Sequence, residues 1–111
     1  MKSTNIFGAL RKMRDFEKQQ LTFIGSLTDF DIVIEIGEAQ ERRQPFTPKQ
    51  LFLRNVGSVS TVRRRLAQLT HQGIVARKTN ARDRRSDLLT VSSATIRQLE
   101  RYSTMLSGLH S

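Results

Sequence analysis

The sequence of 111 residues predicts a mainly α fold class with a small β component (α+β). Two short segments of helical periodicity are joined by a glycine-containing turn, which is typical of a helix-turn-helix unit. Two segments of alternating apolar and polar residues follow, separated by an arginine-rich loop, and this pattern predicts a β-hairpin. Amphipathic segments lie on both sides of this core. The order therefore predicts a winged helix-turn-helix with a two-stranded β-hairpin wing and flanking N- and C-terminal helices.

The length corresponds to one domain with one hydrophobic core, over residues 1–111. We divide it into an N-terminal helix in residues 1–26, a winged-helix core in residues 27–92 and a C-terminal helix in residues 93–111. The two terminal helices could contact a second copy of the chain or pack on their own domain. Sequence reasoning leaves both alternatives open.

The first two helices are predicted from apolar spacing and capping residues. Apolar residues recur at near-helical spacing over residues 6–24. Thr28 lies three residues before Asp31, which is a capping pattern ahead of a second helix. The β-branched run over residues 32–36 could also form a strand, but the cap and the polar tail that follows favour a helix. The apolar positions expected on this helix are Phe30, Val33, Ile34, Gly37 and Ala39.

The next element is a short helix with a complete set of starting signals. Thr47 is expected at the N-cap, Pro48 occupies the first helical position, and Gln50 follows the cap by three residues. Gly57 is expected to end this helix. The segment is therefore the first helix of the predicted helix-turn-helix.

The second helix of the unit and the hairpin follow directly. Ser58 or Ser60 is expected to cap the helix, and Gly73 is expected to terminate it. The predicted strands lie in residues 73–79 and 87–92. The expected apolar stripe of the helix is Val59, Val62, Leu66 and Leu69. The final amphipathic helix is expected to bury Ile96, Leu99, Tyr102, Leu106 and Leu109.

Positive charge is concentrated in the middle of the chain. The formal net charge is +9, with a pI near 11.3. Residues 1–41 hold five Lys/Arg against seven Asp/Glu, residues 42–85 hold twelve against one, and residues 86–111 hold two against two. Unbalanced charges of this number repel one another unless a polyanion neutralises them. The distribution therefore indicates a surface that meets nucleic acid.

The composition excludes several other classes. The chain contains no cysteine, so disulfides and thiolate metal sites are excluded, and His71 and His110 are too far apart to suggest a ligand pair. We expect no cofactor and no metal. A P-loop, paired catalytic carboxylates and a Ser/His/Asp set are all absent from the sequence, so we expect no enzyme. No segment resembles a signal peptide or a membrane span, so we expect a cytoplasmic protein without a membrane partner.

The candidate recognition helix, residues 58–72, presents cations and small polar groups away from its apolar stripe. At 100° per residue, Arg64 points almost directly away from the stripe. Arg64 could bind guanine O6 and N7 in the major groove, and Gln68 could contact base edges. The flanking arginines would reach phosphates. The remaining predicted contacts of the helix-turn-helix are Thr47, Lys49, Ser58, Ser60, Thr61, Arg63 and Arg65.

The candidate wing, residues 79–87, carries three arginines at its tip. Arg82, Arg84 and Arg85 could enter the narrow, strongly negative minor groove of A·T-rich DNA. Asp83 is the one acidic residue of the basic block, residues 42–85, and a phosphate would repel its carboxylate. We therefore expect Asp83 to structure the wing by holding an arginine or accepting backbone amides.

The stretch STVRRRLAQLTHQGIVARKTNARDRRSDLLTVS resembles the MarR family of bacterial winged-helix transcription regulators. The resemblance covers about residues 27–95, and the Asp-Arg-Arg of the wing is its most specific part. It implies a homodimer whose terminal helices set two recognition helices one DNA turn apart. We expect the protein to be nucleoid-associated. The absence of cysteine excludes thiol sensing, and the sequence identifies no effector ligand. The resemblance implies major-groove contacts for Ser60, Thr61 and Arg64, and minor-groove insertion for Arg84 or Arg85.

Two functions remain open from the sequence. The first is sequence-specific binding of double-stranded DNA by a transcriptional regulator. The alternative is an accessory winged-helix module that binds nucleic acid with little specificity or assembles with an acidic protein surface. The dependence of binding on salt and on DNA sequence separates the two.

Overall fold

A computed structural model describes residues 5–79 and 87–108 of the protein. The predicted winged helix-turn-helix with flanking helices is confirmed. The tip of the predicted wing and Leu109 lie outside the described residues. The elements in chain order are α1 (Ile6–Gln20), α2 (Leu27–Glu41), α3 (Pro48–Phe52), α4 (Val59–His71), β1 (Val75–Thr79), β2 (Asp87–Val91) and α5 (Ser93–Gly108).

The helical reading of the second element is confirmed, but its predicted cap is wrong. The N-cap of α2 is Ser26, whose Oγ accepts a hydrogen bond from the backbone N–H of Asp29 at 3.3 Å. Thr28 lies inside the first turn, because Leu27 already has helical geometry. Ile34 is 50% exposed although it was expected on the apolar face. At 100° per residue it falls opposite the core-facing residues, which are Ile32, Val33, Ile36 and Ala39.

The start of α3 agrees with the sequence prediction, whereas its end does not. Thr47 Oγ1 accepts from the Gln50 N–H at 3.2 Å, and Gln50 Oε1 accepts from the Thr47 N–H at 2.8 Å, so the capping box is complete. The helix ends at Phe52, five residues before Gly57. Asn55 takes the left-handed conformation in the turn, with φ of 59°. Asparagine tolerates this conformation better than most residues.

Both ends of α4 are defined by local hydrogen bonds. Ser58 Oγ accepts from the N–H of Thr61 at 3.3 Å and caps the N-terminus. Gly73, with φ of 77°, donates to Thr70 O at 3.1 Å, and Ile74 donates to Leu69 O at 3.0 Å. These two bonds form a Schellman motif, which ends the helix at a residue that needs positive φ. The glycine stop predicted for α4 is therefore confirmed.

The apolar stripe of α4 is narrower than expected. Val62, Leu66 and Leu69 are buried, but Val59 is 46% exposed. Val59 is the first residue of the helix and falls about 50° from the centre of the buried stripe. Its inclusion in the stripe was wrong, because that side of the first turn extends beyond the core.

The hairpin is antiparallel and packs on the helices through its base. Its register runs from Val75 opposite Val91 to Thr79 opposite Asp87. The Leu89 N–H donates to the carbonyl of Phe46 at 2.9 Å, and the Val91 N–H donates to Gln40 Oε1 at 2.8 Å. Strand β2 is thereby attached to the segment before α3 and to α2. The core contains residues of α2, α3, α4, both strands and α5.

Helices α1 and α5 pack on each other, and α5 contributes Tyr102 to the core. Helix α1 contains no buried residue and packs along α5. Phe16 of α1 stacks on Tyr102 of α5 with ring centroids 5.2 Å apart, and the Tyr102 hydroxyl donates to Glu17 Oε2. The radius of gyration is 15.7 Å, against about 13 Å for a compact domain of this length. The extents of 53 × 26 × 22 Å match an elongated molecule.

We predict that Tyr102 makes the stability of the fold sensitive to alkaline pH. Burial and the hydrogen bond to Glu17 raise the pKa of Tyr102 to about 12 from the ordinary value of 10.0. Because the unfolded tyrosine ionises first, this contribution to stability is present below pH 10 and is lost as the pH rises towards 12. The loss is on the order of 2 to 3 kcal/mol.

Urea unfolding of the wild type and of Tyr102→Phe between pH 9 and pH 12 tests this. The variant lacks the ionising phenol, so its free energy of unfolding should decline less over this range. Parallel curves for the two proteins would show that Tyr102 does not ionise differently in the folded and unfolded states.

Candidate nucleic-acid interface

The outward side of α4 is formed by residues that alternate with its buried stripe. Ser60, Arg64 and Gln68 are exposed and are spaced by four residues, so they form one line along the helix. Arg64 projects opposite to Val62 and Leu66, as the sequence predicted from helical geometry. The helix therefore presents one cation between two polar side chains along its outward surface.

Arg63 is exposed on the side of α4 that faces α3. Its guanidinium carbon lies 5.2 Å from the centroid of the Phe52 ring. A cation–π contact at an exposed site contributes about 0.5 to 1 kcal/mol. The contact restricts where the side chain can point, while its N–H groups remain able to donate to a phosphate. Arg63 therefore lies on the flank of α4, as predicted, and it also contacts Phe52 of α3, a partner that the sequence analysis did not identify.

Several small polar residues of the predicted contact set have structural roles. Ser58 donates from its hydroxyl to Thr61 Oγ1 at 2.9 Å in addition to capping α4. Thr47 is the N-cap of α3, and the neighbouring Lys49 is exposed. The hydroxyls of Ser58 and Thr61 are therefore bonded to each other, whereas Ser60 is exposed beside them.

Arg65 does not project outward with its two neighbours. Its Nε donates to Asp29 Oδ1 at 2.6 Å, and its Nη2 donates to Asp29 Oδ2 at 2.7 Å. Asp29 is fully buried, and the Arg65 side chain is 24% exposed. The hydrogen bonds to Asp29 raise the pKa of the Arg65 guanidinium above its ordinary value. Arg65 was expected on a phosphate-facing flank, and the structure uses its guanidinium to neutralise a buried carboxylate on α2.

Further cations lie on β1 and were not assigned a contact from the sequence. Arg77 and Lys78 are exposed neighbours whose side chains leave opposite faces of the strand. Arg64, Arg77 and Lys78 have no ion-pair partner within residues 5–79 and 87–108. In contrast, Arg42 and Arg54 pair with carboxylates of α2. The position of Arg77 and Lys78 on β1, the strand that leads into the basic loop, was the feature of the sequence that could have identified them.

The wing tip belongs to the part of the chain that the structure does not describe. Arg82, Asp83, Arg84 and Arg85 lie outside the described residues, so their roles stay predictions. Within the described ranges, no group of three His, Cys, Asp or Glu side chains could hold a metal ion. The helices of those ranges also fall short of the length and apolar character needed to cross a bilayer.

No protein-family model matches the sequence, and no curated protein matches it. Several solved structures share the fold. MepR from S. aureus in a complex with DNA is 14% identical, with a TM-score of 0.71, over 98% of this chain and 87% of that chain. MepR bound to ethidium bromide is 15% identical, with a TM-score of 0.70, over 99% and 79% of the two chains.

A mutant MarR from E. coli complexed with operator DNA is 19% identical, with a TM-score of 0.60, over 91% of this chain and 70% of that chain. MepR and MarR are MarR-family winged-helix regulators. Likeness at these identities establishes the fold. The chain therefore has the MarR-type winged-helix fold that its sequence predicts.

Proposed function

We propose that this chain is a bacterial transcriptional regulator that binds specific sequences of double-stranded DNA. In this proposal, α4 lies in the major groove and the wing, residues 79–87, reaches the adjacent minor groove. The protein works in the cytoplasm, on the nucleoid, and requires no cofactor. Arg64 and Gln68 contact base edges, and the arginines of the wing tip contact the minor groove.

The observation that carries this proposal is the outward side of α4. Arg64 is exposed, lies opposite the buried stripe and lacks an ion-pair partner within residues 5–79 and 87–108. A guanidinium in this setting can donate two parallel hydrogen bonds to guanine O6 and N7. Structures of MepR and MarR with this fold contain DNA. The position and chemistry of Arg64 support a helix that reads bases.

The phosphate contacts of the proposal come from cations on α3, α4 and β1. Arg63, Lys49, Arg77 and Lys78 are exposed. The backbone at the start of α4, around Ser58, Ser60 and Thr61, carries the positive end of the helix dipole and suits a phosphate. Thr47 acts mainly by starting α3. Arg65 leaves the proposed contact set, because its guanidinium is occupied by Asp29.

We further propose a homodimer formed through the terminal helices. On α1, Ile6 is 55% exposed, Phe7 is 80% exposed and Leu10 is 43% exposed. These side chains recur along an amphipathic helix that has no buried residue. Burial of a phenylalanine side chain contributes about 1.5 to 3 kcal/mol. The elongated shape and this apolar surface support a second copy as the partner of α1.

The first test separates specific regulation from binding with little specificity. We expect DNA selected from a random pool by the protein to contain an inverted repeat, since a two-fold dimer presents two recognition helices. The selected site should keep its advantage over random DNA at 150 mM salt. A purely electrostatic protein making six to ten phosphate contacts would lose about 10³ to 10⁵ in affinity between 50 and 200 mM salt. A pool without enrichment would favour the accessory module.

The second test compares two neighbouring arginines. Arg64→Ala should cost about 1 to 3 kcal/mol at the selected site and relax base preference at one position. Arg63→Ala should weaken all sequences alike and lower the slope of log affinity against log salt by about one. Binding of both variants to selected and random duplexes is the measurement. An unchanged ratio of the two affinities in Arg64→Ala would contradict its role in base reading.

The third test concerns the dimer. Phe7→Asp should raise the dissociation constant of the homodimer at least tenfold, because an exposed aromatic anchor is replaced by a charge; tenfold corresponds to about 1.4 kcal/mol. Sedimentation equilibrium over a range of concentrations measures the constant. Leu27→Asp is the matched control, since Leu27 is also 80% exposed but lies on α2. A monomeric wild type, or equal weakening by both variants, would contradict dimerisation through α1.

A further inference from the structure

The ion pair between Asp29 and Arg65 joins a buried carboxylate to a guanidinium at two points. Both carboxylate oxygens of Asp29 accept from Arg65, at 2.6 and 2.7 Å. Two parallel hydrogen bonds fix the plane of a guanidinium as well as its distance. Asp29 is 0% exposed, so its carboxylate cannot turn to water when the pair is broken. The buried carboxylate of Asp29 therefore holds the Arg65 guanidinium in one position.

A third element joins the same carboxylate. The N–H of Gly25, in the connection between α1 and α2, donates to Asp29 Oδ2 at 3.0 Å. A Cβ atom at Gly25 would lie 3.1 Å from Asp29 Oδ2 and 3.5 Å from Arg65 Nη2. The first distance is tighter than ordinary contact, so a side chain there would press on the pair. The connection after α1, helix α2 and helix α4 thus meet at one carboxylate.

This ion pair determines which way the preceding residue, Arg64, points. Arg64 and Arg65 are consecutive, so on a helix their directions differ by about 100°. When Arg65 is held against α2, Arg64 must project outward. A roll of α4 by about 20° would displace an atom at the outer helix radius of about 5 to 6 Å by about 2 Å. Hydrogen bonds to a base edge tolerate less than that.

We infer that Asp29 and Arg65 are positioning residues for sequence reading: the buried pair sets the rotation of α4 and thereby aims Arg64, and Arg65 itself does not bind DNA. This inference rests on the proposed function, because it concerns the selectivity of the same helix. Arg65, the third arginine of the run 63–65, points inward and holds α4 against α2, whereas Arg64 points outward. The hydrogen bond from the Gly25 N–H to Asp29 also connects the segment after α1 to the recognition helix α4.

The experiment uses the full chain in four variants that combine three substitutions in the contact. Asp29→Asn removes one charge with little change of shape, Arg65→Gln removes the other together with the guanidinium, the double variant removes both, and Gly25→Ala leaves both charges in place. Arg42→Gln is the matched control, because Arg42 forms an exposed ion pair with Glu38 at 3.3 Å. Circular dichroism at the assay temperature checks that each variant is folded. Affinities for the selected site and for random duplex are measured at several salt concentrations.

The expected result is a loss of selectivity without a loss of phosphate contacts. Asp29→Asn and Arg65→Gln should each lower the ratio of selected to random affinity about tenfold, and the double variant should be no worse than either. The salt slope should stay that of the wild type. Gly25→Ala should lower the ratio in the same direction, which keeps the test informative if a charge variant does not fold. Arg42→Gln should leave the ratio unchanged.

Two results would overturn the inference. One is a salt slope reduced by about 0.9 in Arg65→Gln alone, which is the signature of a lost phosphate contact. The other is an unchanged ratio in the folded variants while the wild type selects its site. A wild type that selects no site would overturn the proposed function itself, and this inference with it, so the two failures are distinguishable.

Discussion

The packing of α4 on α2 is the contact on which the rest of the fold depends. Leu66 and Leu69 of α4 are buried in the core, and the carboxylate of Asp29 on α2 is buried as well. A buried charge is costly unless a partner and further hydrogen bonds satisfy it. Arg65 and the Gly25 N–H supply both. The same contact therefore combines non-directional apolar burial with one directional ion pair, and the second of these determines the helix rotation.

Sequence reasoning predicted the features whose causes lie within a few residues. The capping box of Thr47 and Gln50 and the stop at Gly73 are of this kind, because donor and acceptor are separated by at most five residues. The order of helices and strands also follows from local periodicity. The predicted cap of α2, Thr28, was wrong, because Ser26, two residues earlier, also carries a hydroxyl and caps the helix.

The role of Arg65 could not be predicted in this way, since its partner lies 36 positions earlier in the chain. The error began at Val59. With Val59 in the apolar stripe, Arg63 and Arg65 stand at equal angles, about 80°, on its two sides. Without Val59 the centre of the stripe moves, and Arg65 is about 67° from it whereas Arg63 is about 93° away. The flank nearer the core is the one that turned inward.

Carboxylates of helix α2 neutralise some arginines of the basic block and leave its other cations unpaired. Its residues Asp29, Glu35 and Glu38 provide the carboxylates that pair with Arg65, Arg54 and Arg42. The acids counted in the first third of the sequence thus cancel charge in the middle third.

Among the described residues of the basic block, residues 42–79, six cations have no carboxylate partner. Five of them lie on α3, α4 and β1, namely Lys49, Arg63, Arg64, Arg77 and Lys78, and the sixth is Arg43. Mutual repulsion among such cations weakens a folded domain, and a polyanion offsets it. The positive surface of the basic block is therefore smaller than its net charge suggests, because carboxylates of α2 pair with part of that charge. Within this block, pairing through α2 leaves most of the unpaired cations on α3, α4 and β1, the elements that the proposed function brings to the duplex.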